Sequence, residues 1–364
     1  MPASPTAPGP ASPPVYWDYL SLPGLLAQQG GLDGNPSPDE LHFIIVHQAF
    51  ELWFKLVLSQ LRLARDHLAA AHLPEEQVPF VVHHIGRVNV ILRHCVDQFA
   101  VMETLPPQDF LAFRDKLTPA SGFQSFQLRE VEILLGLKNE DRVALGGIKP
   151  EAHIQNVGKS SPFDAYARLQ ATQMEVTLRD ALHNWLMRTP IQGSSMNDPG
   201  DEGVVDGFLA EYLDHVRAHG EQTLAGLVAA LGEGERAKME PRIKMTLDEA
   251  RKFLLIEDRA VRRARAGLLF IESYRELPLL AWPRLLIDTV VELEEQMLLF
   301  RNRHARMVER VIGRRIGTGG SSGVEYLDKT TAYRTFPELW TVRSTLLPRA
   351  MLPALRRREK YGVE

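Results

Sequence analysis

Two histidines stand on apolar faces of segments whose periodicity predicts helices. His47 has Phe43, Phe50 and Phe54 at helical spacings on its own side. His304 also has apolar residues at helical spacings, namely Met297, Phe300, Met307, Val308 and Val311. An imidazole held among apolar side chains costs free energy unless its nitrogens find partners. Each ring therefore needs a neighbouring side chain, a cofactor or a substrate.

Considered alone, each of the two histidines is explained more simply as a hydrogen-bonded core residue than as a ligand. Together, in an all-helical chain, they raise the possibility of a haem pocket. In such a pocket one proximal histidine binds the iron, and the distal side is apolar with polar groups that tune its chemistry. A helical di-iron site requires paired Glu-x-x-His motifs, and none has a clear glutamate partner. A zinc site needs three or four convergent ligands, which the spacing does not show.

A glycine-rich run, Gly317-Thr318-Gly319-Gly320-Ser321-Ser322-Gly323, follows the helix that carries His304. Such a backbone can turn its N–H groups inward and, with the Thr and Ser hydroxyls, bind a carboxylate, phosphate or carbonyl oxygen. It is not a phosphate-binding P-loop, because no Lys-Ser/Thr pair follows the glycines. A flexible linker after a helix explains the composition equally well.

Two further groups of side chains have binding chemistry. Phe110 and Arg114 are four residues apart, so a helix would place a ring beside a guanidinium, as an aromatic amino acid requires. An arginine covering a core phenylalanine is the simpler alternative. Near the start of the chain, Tyr16, Trp17 and Tyr19 form an aromatic segment, which we expect to pack on a neighbouring surface such as another subunit.

Helical periodicity dominates the sequence, and no alternating strand pattern appears. It predicts an all-α, bundle-like fold built from several long antiparallel helices. The expected helices cover 39–71, 75–101, 109–117, a segment from 124, 163–188, 204–232, 246–272 and 282–312. Residues 139–162, rich in glycine and lysine, are expected to be irregular.

The domain organisation follows from composition and from these helices. Residues 1–15, rich in proline, alanine and serine, are expected to be a disordered lead. We expect residues 16–348 to form one all-α domain with a helical insertion at about 193–280, followed by a C-terminal tail at 349–364.

Composition excludes several classes of protein. Hydrophobic residues make up 45% and charged residues 24%, as in a globular domain, and the net charge of −4 gives no nucleic-acid surface. The single cysteine, Cys95, rules out an internal disulfide and a cysteine zinc site, and it suits a reducing cytoplasm. No apolar run approaches the ~18 residues of a bilayer span, so we expect a soluble protein without a membrane partner.

Four segments together resemble the tryptophan 2,3-dioxygenase family. They read YWDYLSLPGLL, DELHFIIVHQAFELWFKL, FLAFRDKLTPASGFQSFQLREVEILLGLKN and FRNRHARMVERVIGRRIGTGGSSGVEYL, in family order from residue 16 to about 348. The resemblance implies a cytoplasmic, homotetrameric, all-α enzyme with one haem b per subunit, ferrous in its active form. It also implies cleavage of the indole C2=C3 bond of L-tryptophan by O₂, which gives N-formyl-L-kynurenine in the kynurenine pathway of tryptophan catabolism.

The resemblance also implies roles for the haem-side residues. It makes His304 the proximal iron ligand and His47 the distal, catalytic histidine close to the indole N–H. Ser121 and Gly122 would lie near the haem and its propionates.

The remaining implied roles concern the substrate. Phe43 and Phe110 would line the indole pocket, Arg114 would bind the carboxylate, and Thr318 the ammonium and carboxylate end. Three residues of the N-terminal segment would reach into a neighbouring subunit's pocket, namely Tyr16, Tyr19 and Leu20.

The chain departs from the family pattern at two positions. Pro38 stands where members often have His, and Phe300 where they often have Trp. Neither is an expected iron ligand, but both leave room for a changed substrate. The alternatives are a related haem oxygenase that inserts one oxygen into a tryptophan derivative in a secondary-metabolite pathway, a non-catalytic haem sensor, and a plain helical scaffold.

Overall fold

The computed structural model describes residues 15–118, 120–144, 147, 149–158, 163–315 and 323–363. Over these ranges the chain is helical and contains no strand, with one isolated bridge between Ile191 and Ser194. The prediction of an all-α fold is confirmed.

The α-helices are numbered here in chain order. The first nine are α1 (Tyr16–Tyr19), α2 (Leu22–Leu25), α3 (Pro38–Ala69), α4 (Val78–Met102), α5 (Pro107–Arg114), α6 (Phe126–Leu135), α7 (Pro150–Gly158), α8 (Ala165–Gln173) and α9 (Leu178–Met187). The others are α10 (Asp201–Leu231), α11 (Arg236–Leu254), α12 (Arg259–Ser273), α13 (Ala281–Ile312), α14 (Gly323–Thr330) and α15 (Pro337–Thr341). Short 3₁₀ turns cover Glu75–Gln77, Asp115–Leu117, Gly122–Gln124, Glu233–Glu235, Pro278–Leu280, Val342–Thr345, Arg349–Met351 and Arg358–Tyr361.

Local sequence explains where the long helices begin and end. The hydroxyl of Ser37 caps α3 by accepting from the Glu40 N–H at 3.2 Å, and Pro38 occupies the first turn. Helix α13 stops at Gly313, whose φ of 61° few residues other than glycine adopt. Both helices were predicted to within about two residues because these signals are local.

Two expectations about the elements are wrong. The helix expected at 246–272 is two helices, because the Asp258 carboxylate accepts from the Val261 N–H at 3.0 Å and starts α12 anew. The segment expected to be irregular, 139–162, contains α7.

The core forms where α4 packs between α3 and α13, with α6 and α9 covering α3. Its centre is made of fully buried aliphatic residues, among them Val57, Leu61, Ile85, Val88, Leu92, Ile287 and Val290. The Asn89 amide donates to the Thr289 carbonyl at 3.0 Å and links α4 to α13. Because α3 and α13 are fixed on α4, side chains from both can meet at one end of the bundle.

Helix α3 also has an exposed apolar side. Its exposed leucine and isoleucine residues are Leu41, Ile45, Leu52, Leu56 and Leu63. By length and composition alone it is the one helix among the described residues that could cross a membrane, with a mean hydropathy of 1.4 over its most apolar part. Its opposite side is buried in the bundle and includes the polar residues Gln60 and Arg65. Helix α3 is therefore a core helix of which one apolar side is exposed.

The segment after residue 348 packs against the helices. Tyr361 is only 2% exposed, and its ring lies 5.2 Å from that of Phe270. Its hydroxyl accepts from the Gly193 N–H at 2.7 Å and donates to the Pro190 carbonyl at 3.2 Å. The segment around Tyr361 is therefore part of the folded unit.

We expect Tyr361→Phe to destabilise the protein by about 1–3 kcal/mol, because two buried backbone groups lose their partner. Tyr361→Ala, which also leaves a cavity, should cost about 3–5 kcal/mol. Urea unfolding followed by circular dichroism measures both. The control is Lys360→Ala on the exposed neighbour, within ~0.5 kcal/mol of wild type. A Phe variant as stable as this control would show that the hydroxyl contributes nothing.

Candidate active site

A cavity opens between α3, α5, α6, α13 and α14. The empty space of the cavity and of its open entrance together is about 1300 Å³. Its walls include residues from all five helices and from the turn after α5. Among them are both histidines singled out from the sequence, His47 and His304. Two helices far apart in sequence therefore bring their imidazoles to the same space.

The tautomer of His47 follows from one hydrogen bond. Its Nδ1 lies 2.8 Å from the Phe43 carbonyl oxygen, one turn back on α3. Since a carbonyl can only accept, Nδ1 carries the hydrogen and Nε2 keeps a lone pair in the neutral ring. Burial lowers the pKa of His47; the bond to Phe43 opposes this shift and the nearby His42 adds to it. The ring is thus a neutral hydrogen-bond acceptor at physiological pH.

His304 is held on α13 by aromatic packing. The Phe99 ring stacks on it at 5.4 Å with 9° between the planes, and Phe300 lies 6.1 Å away. Burial lowers the pKa of His304 to about 4, with smaller contributions from His47 and Arg129. A neutral imidazole in such a wall has a lone pair to offer a metal ion.

Another part of the lining combines aromatic rings with a cation. Phe43 lies 5.8 Å from Phe110 and 5.7 Å from Phe113, measured between ring centroids. Phe110 and Arg114 are one turn apart on α5 and both line the cavity. The structure therefore brings together Phe43, His47, Phe110 and Arg114 around one space, which they line with aromatic rings and a cation.

Other residues singled out from the sequence fall in three places. Ser121 and Gly122 line the cavity, and the Ser121 hydroxyl accepts from the Phe123 N–H at 3.3 Å. Thr318 lies outside the described residues. The N-terminal residues do not line this chain's cavity, and they are exposed by 71% at Tyr16, 77% at Tyr19 and 42% at Leu20.

Sequence reasoning missed a buried charged group at the cavity wall. Arg129 and Glu132 of α6 and Arg301 of α13 all line the cavity, and each is at most 7% exposed. The Glu132 carboxylate accepts from Arg129 at 2.8 Å and from Arg301 at 3.1 Å. The Arg-x-x-Glu spacing among apolar residues of α6 was the available signal, since residues three apart share a helix face.

The fold and the site define an all-α enzyme with two neutral histidines in an apolar cavity. Residues 9–346 match the family model described as tryptophan 2,3-dioxygenase. The chain is 45% identical over 368 residues to tryptophan 2,3-dioxygenase 2 of Ralstonia nicotianae, covering 96% of this chain and 98% of the relative. The chain belongs to the tryptophan 2,3-dioxygenase family.

Two other relatives agree with this assignment. The tryptophan 2,3-dioxygenase of Sorangium cellulosum is 45% identical over 362 residues, which cover 95% of this chain and 87% of the relative. A tryptophan 2,3-dioxygenase-like protein of Xanthomonas campestris pv. campestris is 47% identical over 265 residues, covering 70% of this chain and 96% of the relative.

In protein prepared without a cofactor, we expect His304 to stay neutral well below the ordinary imidazole pKa of about 6.5 and to take up a proton only towards pH 4. Because the unfolded chain binds that proton first, the contribution of His304 to stability falls as the pH drops through this window. Proton NMR of the imidazole signals, assigned with a His304→Gln variant, measures the titration. A midpoint near 6.5 would contradict a desolvated ring.

Proposed function

We propose that this protein is a haem-dependent dioxygenase that cleaves the indole C2=C3 bond of L-tryptophan with O₂ to give N-formyl-L-kynurenine, in the kynurenine pathway of tryptophan catabolism. The observation that carries the proposal is one cavity with His304 on one wall and Phe43, His47, Phe110 and Arg114 around it. The names of the curated relatives support the same reaction.

The donor groups of the cavity fit haem b, which carries two carboxylates. In the described part of the chain, neither Nε of Arg129 nor the hydroxyl of Tyr326 has a hydrogen-bond partner, although both are buried in residues that line the cavity. A carboxylate can accept from both donors. With the neutral imidazole of His304 as the iron ligand, the residues present fit one haem per subunit, and Ser121 and Gly122 also line the cavity.

When bound, ferrous haem supplies the activation of dioxygen. The residues of the cavity bind the substrate and orient it. Phe43 and Phe110 give the flat indole ring an apolar wall, and Arg114 gives its carboxylate a charged, bidentate partner. Nε2 of His47 accepts the hydrogen bond of the indole N–H, because Nδ1 already donates to Phe43. The ring is thereby oriented, and the apolar walls exclude water from it.

The polar end of the substrate is proposed to be completed by Thr318 in the glycine-rich run, a role carried over from the family resemblance. We further propose a homotetramer in which Tyr16, Tyr19 and Leu20 reach a neighbouring subunit's pocket. Their exposure supports this, as does the exposed apolar side of α3, which a second copy would cover. A cytoplasmic location is proposed on the strength of the single, buried cysteine, Cys95.

The experiment that tests the reaction incubates the reduced, haem-loaded protein with L-tryptophan and air and follows N-formylkynurenine by absorbance and mass. We expect a product heavier than L-tryptophan by two oxygen atoms. His304→Ala should lose the spectrum of histidine-ligated haem together with the activity. A gain of one oxygen atom would indicate the related oxygenase, bound haem without turnover a sensor, and no haem absorption a scaffold; each would overturn the proposal.

Removing the Arg114 guanidinium should weaken L-tryptophan binding selectively. In Arg114→Ala we expect a Kd raised about ten- to hundredfold, since a hydrogen bond to a charged group contributes about 1.5–3 kcal/mol. Tryptamine, which lacks the carboxylate, should bind wild type and variant alike. The Kd values come from titrating the haem absorption band. Lys116→Ala, which removes an exposed cation outside the cavity lining, is the matched control. Equal losses for both ligands would mean that Arg114 does not recognise the carboxylate.

A further inference from the structure

One buried carboxylate binds three arginines that come from three parts of the chain. Glu132 of α6 is 3% exposed, and its Oε2 accepts from Arg129 and from Arg142, which belongs to the segment after α6. Its Oε1 accepts from Arg301 of α13 at 3.1 Å. The Arg301 guanidinium also lies over the Tyr333 ring, 4.9 Å from its centroid. Glu132 is therefore the common partner of this group of arginines.

The charges in this group do not balance. Among the described residues, three guanidinium groups face two carboxylates, Glu132 and Glu151, and Glu151 lies 3.9 Å from Nε of Arg142. One positive charge is left in a region where ions lose most of their hydration. In the described ranges, Nε of Arg129 and two nitrogens of Arg142 also have no hydrogen-bond partner. A single carboxylate thus holds a cationic wall in place and offsets part of its charge.

This wall lies next to the proposed iron ligand. Arg301 precedes His304 by three residues on α13, and both side chains line the cavity with Arg129 and Glu132. The charge of Arg129 contributes to lowering the pKa of His304, so the two side chains are in electrostatic contact. Any change in the charge at Glu132 therefore acts within the range of the haem site.

We propose that Glu132 is a positioning residue of the haem site, which orients Arg129 and Arg301 and sets the net charge beside His304. The inference rests on the proposed haem enzyme. Glu132 acts through the two arginines rather than on the substrate. Without its negative charge the cavity wall becomes more positive, which favours ferrous over ferric haem because the ferrous form carries one positive charge fewer. The reduction potential of the haem should then rise.

The same helix offers a matched control two residues away. Glu130 is 2% exposed and accepts from Arg168 at 2.9 Å and Thr172 at 3.1 Å, on the side of α6 that faces α8. It does not line the cavity. Glu130→Gln removes an equally buried, ion-paired carboxylate from α6. It therefore shows the effect of losing a buried ion pair of this helix without a change in charge at the cavity wall.

The test compares haem-loaded wild type, Glu132→Gln, Glu132→Asp, Arg301→Gln and Glu130→Gln. The midpoint potential is measured by spectroelectrochemistry, and haem release by transfer to an excess of apomyoglobin. We expect Glu132→Gln to have a more positive potential and a severalfold faster release of haem. Glu132→Asp keeps the charge and should keep the potential near that of wild type. Arg301→Gln should shift the potential in the opposite, negative direction.

Glu130→Gln should unfold at lower urea concentration with the wild-type potential and haem release. A potential of Glu132→Gln equal to that of this control would overturn the proposal, as would shifts of the same sign in Glu132→Gln and Arg301→Gln. If Glu132→Gln does not fold, the sign of the shift in Arg301→Gln decides. A wild-type protein that does not bind haem through a histidine would instead overturn the proposed function.

Discussion

Keeping two imidazoles uncharged in one apolar cavity is the constraint on which the site depends, because only a neutral ring offers a lone pair to iron or to an indole N–H. Burial achieves this for both rings by lowering the pKa of His47 and His304. The free-energy cost is offset in the adjoining core, where Phe99 stacks on His304 and also packs 5.1 Å from Phe300. The packing of α3, α4 and α13 thus sets the chemistry as well as the stability.

The charged side of the cavity is built on helix α6, whose two faces carry different ion pairs. Glu132 faces the cavity and its arginines, while Glu130 faces α8 and binds Arg168 and Thr172. The Arg129 and Arg142 side chains bring α6 and the following segment to the same carboxylate. Buried charges are tolerated here because they are paired, and the surplus among the described residues is cationic, which suits the carboxylates of the proposed cofactor.

Helical spacing was enough to identify those site residues whose partner in the site lies on the same helix. His47 with Phe43, and Phe110 with Arg114, are pairs four residues apart, and the structure places all four at the cavity. The contacts of Glu132 with Arg301 span 169 positions, and no local pattern predicts them. The break between α11 and α12 was missed for a different reason: one cap, at Asp258, outweighed continuous helical periodicity.

Phe300, where the family often has tryptophan, bears on the choice between substrates. Its ring is 4% exposed and lies 6.0 Å from Phe50, 5.8 Å from Phe54 and 5.1 Å from Phe99. An indole at this position would bring an N–H group into a cluster of phenyl rings, where an unpaired donor costs free energy. The phenylalanine therefore suits the packing beside His304. Phe300 lines the cavity on α13 beside His304, whereas the proposed indole-facing wall is made by Phe43, His47 and Phe110. This departure therefore alters the surroundings of the proposed iron ligand rather than the proposed recognition of tryptophan.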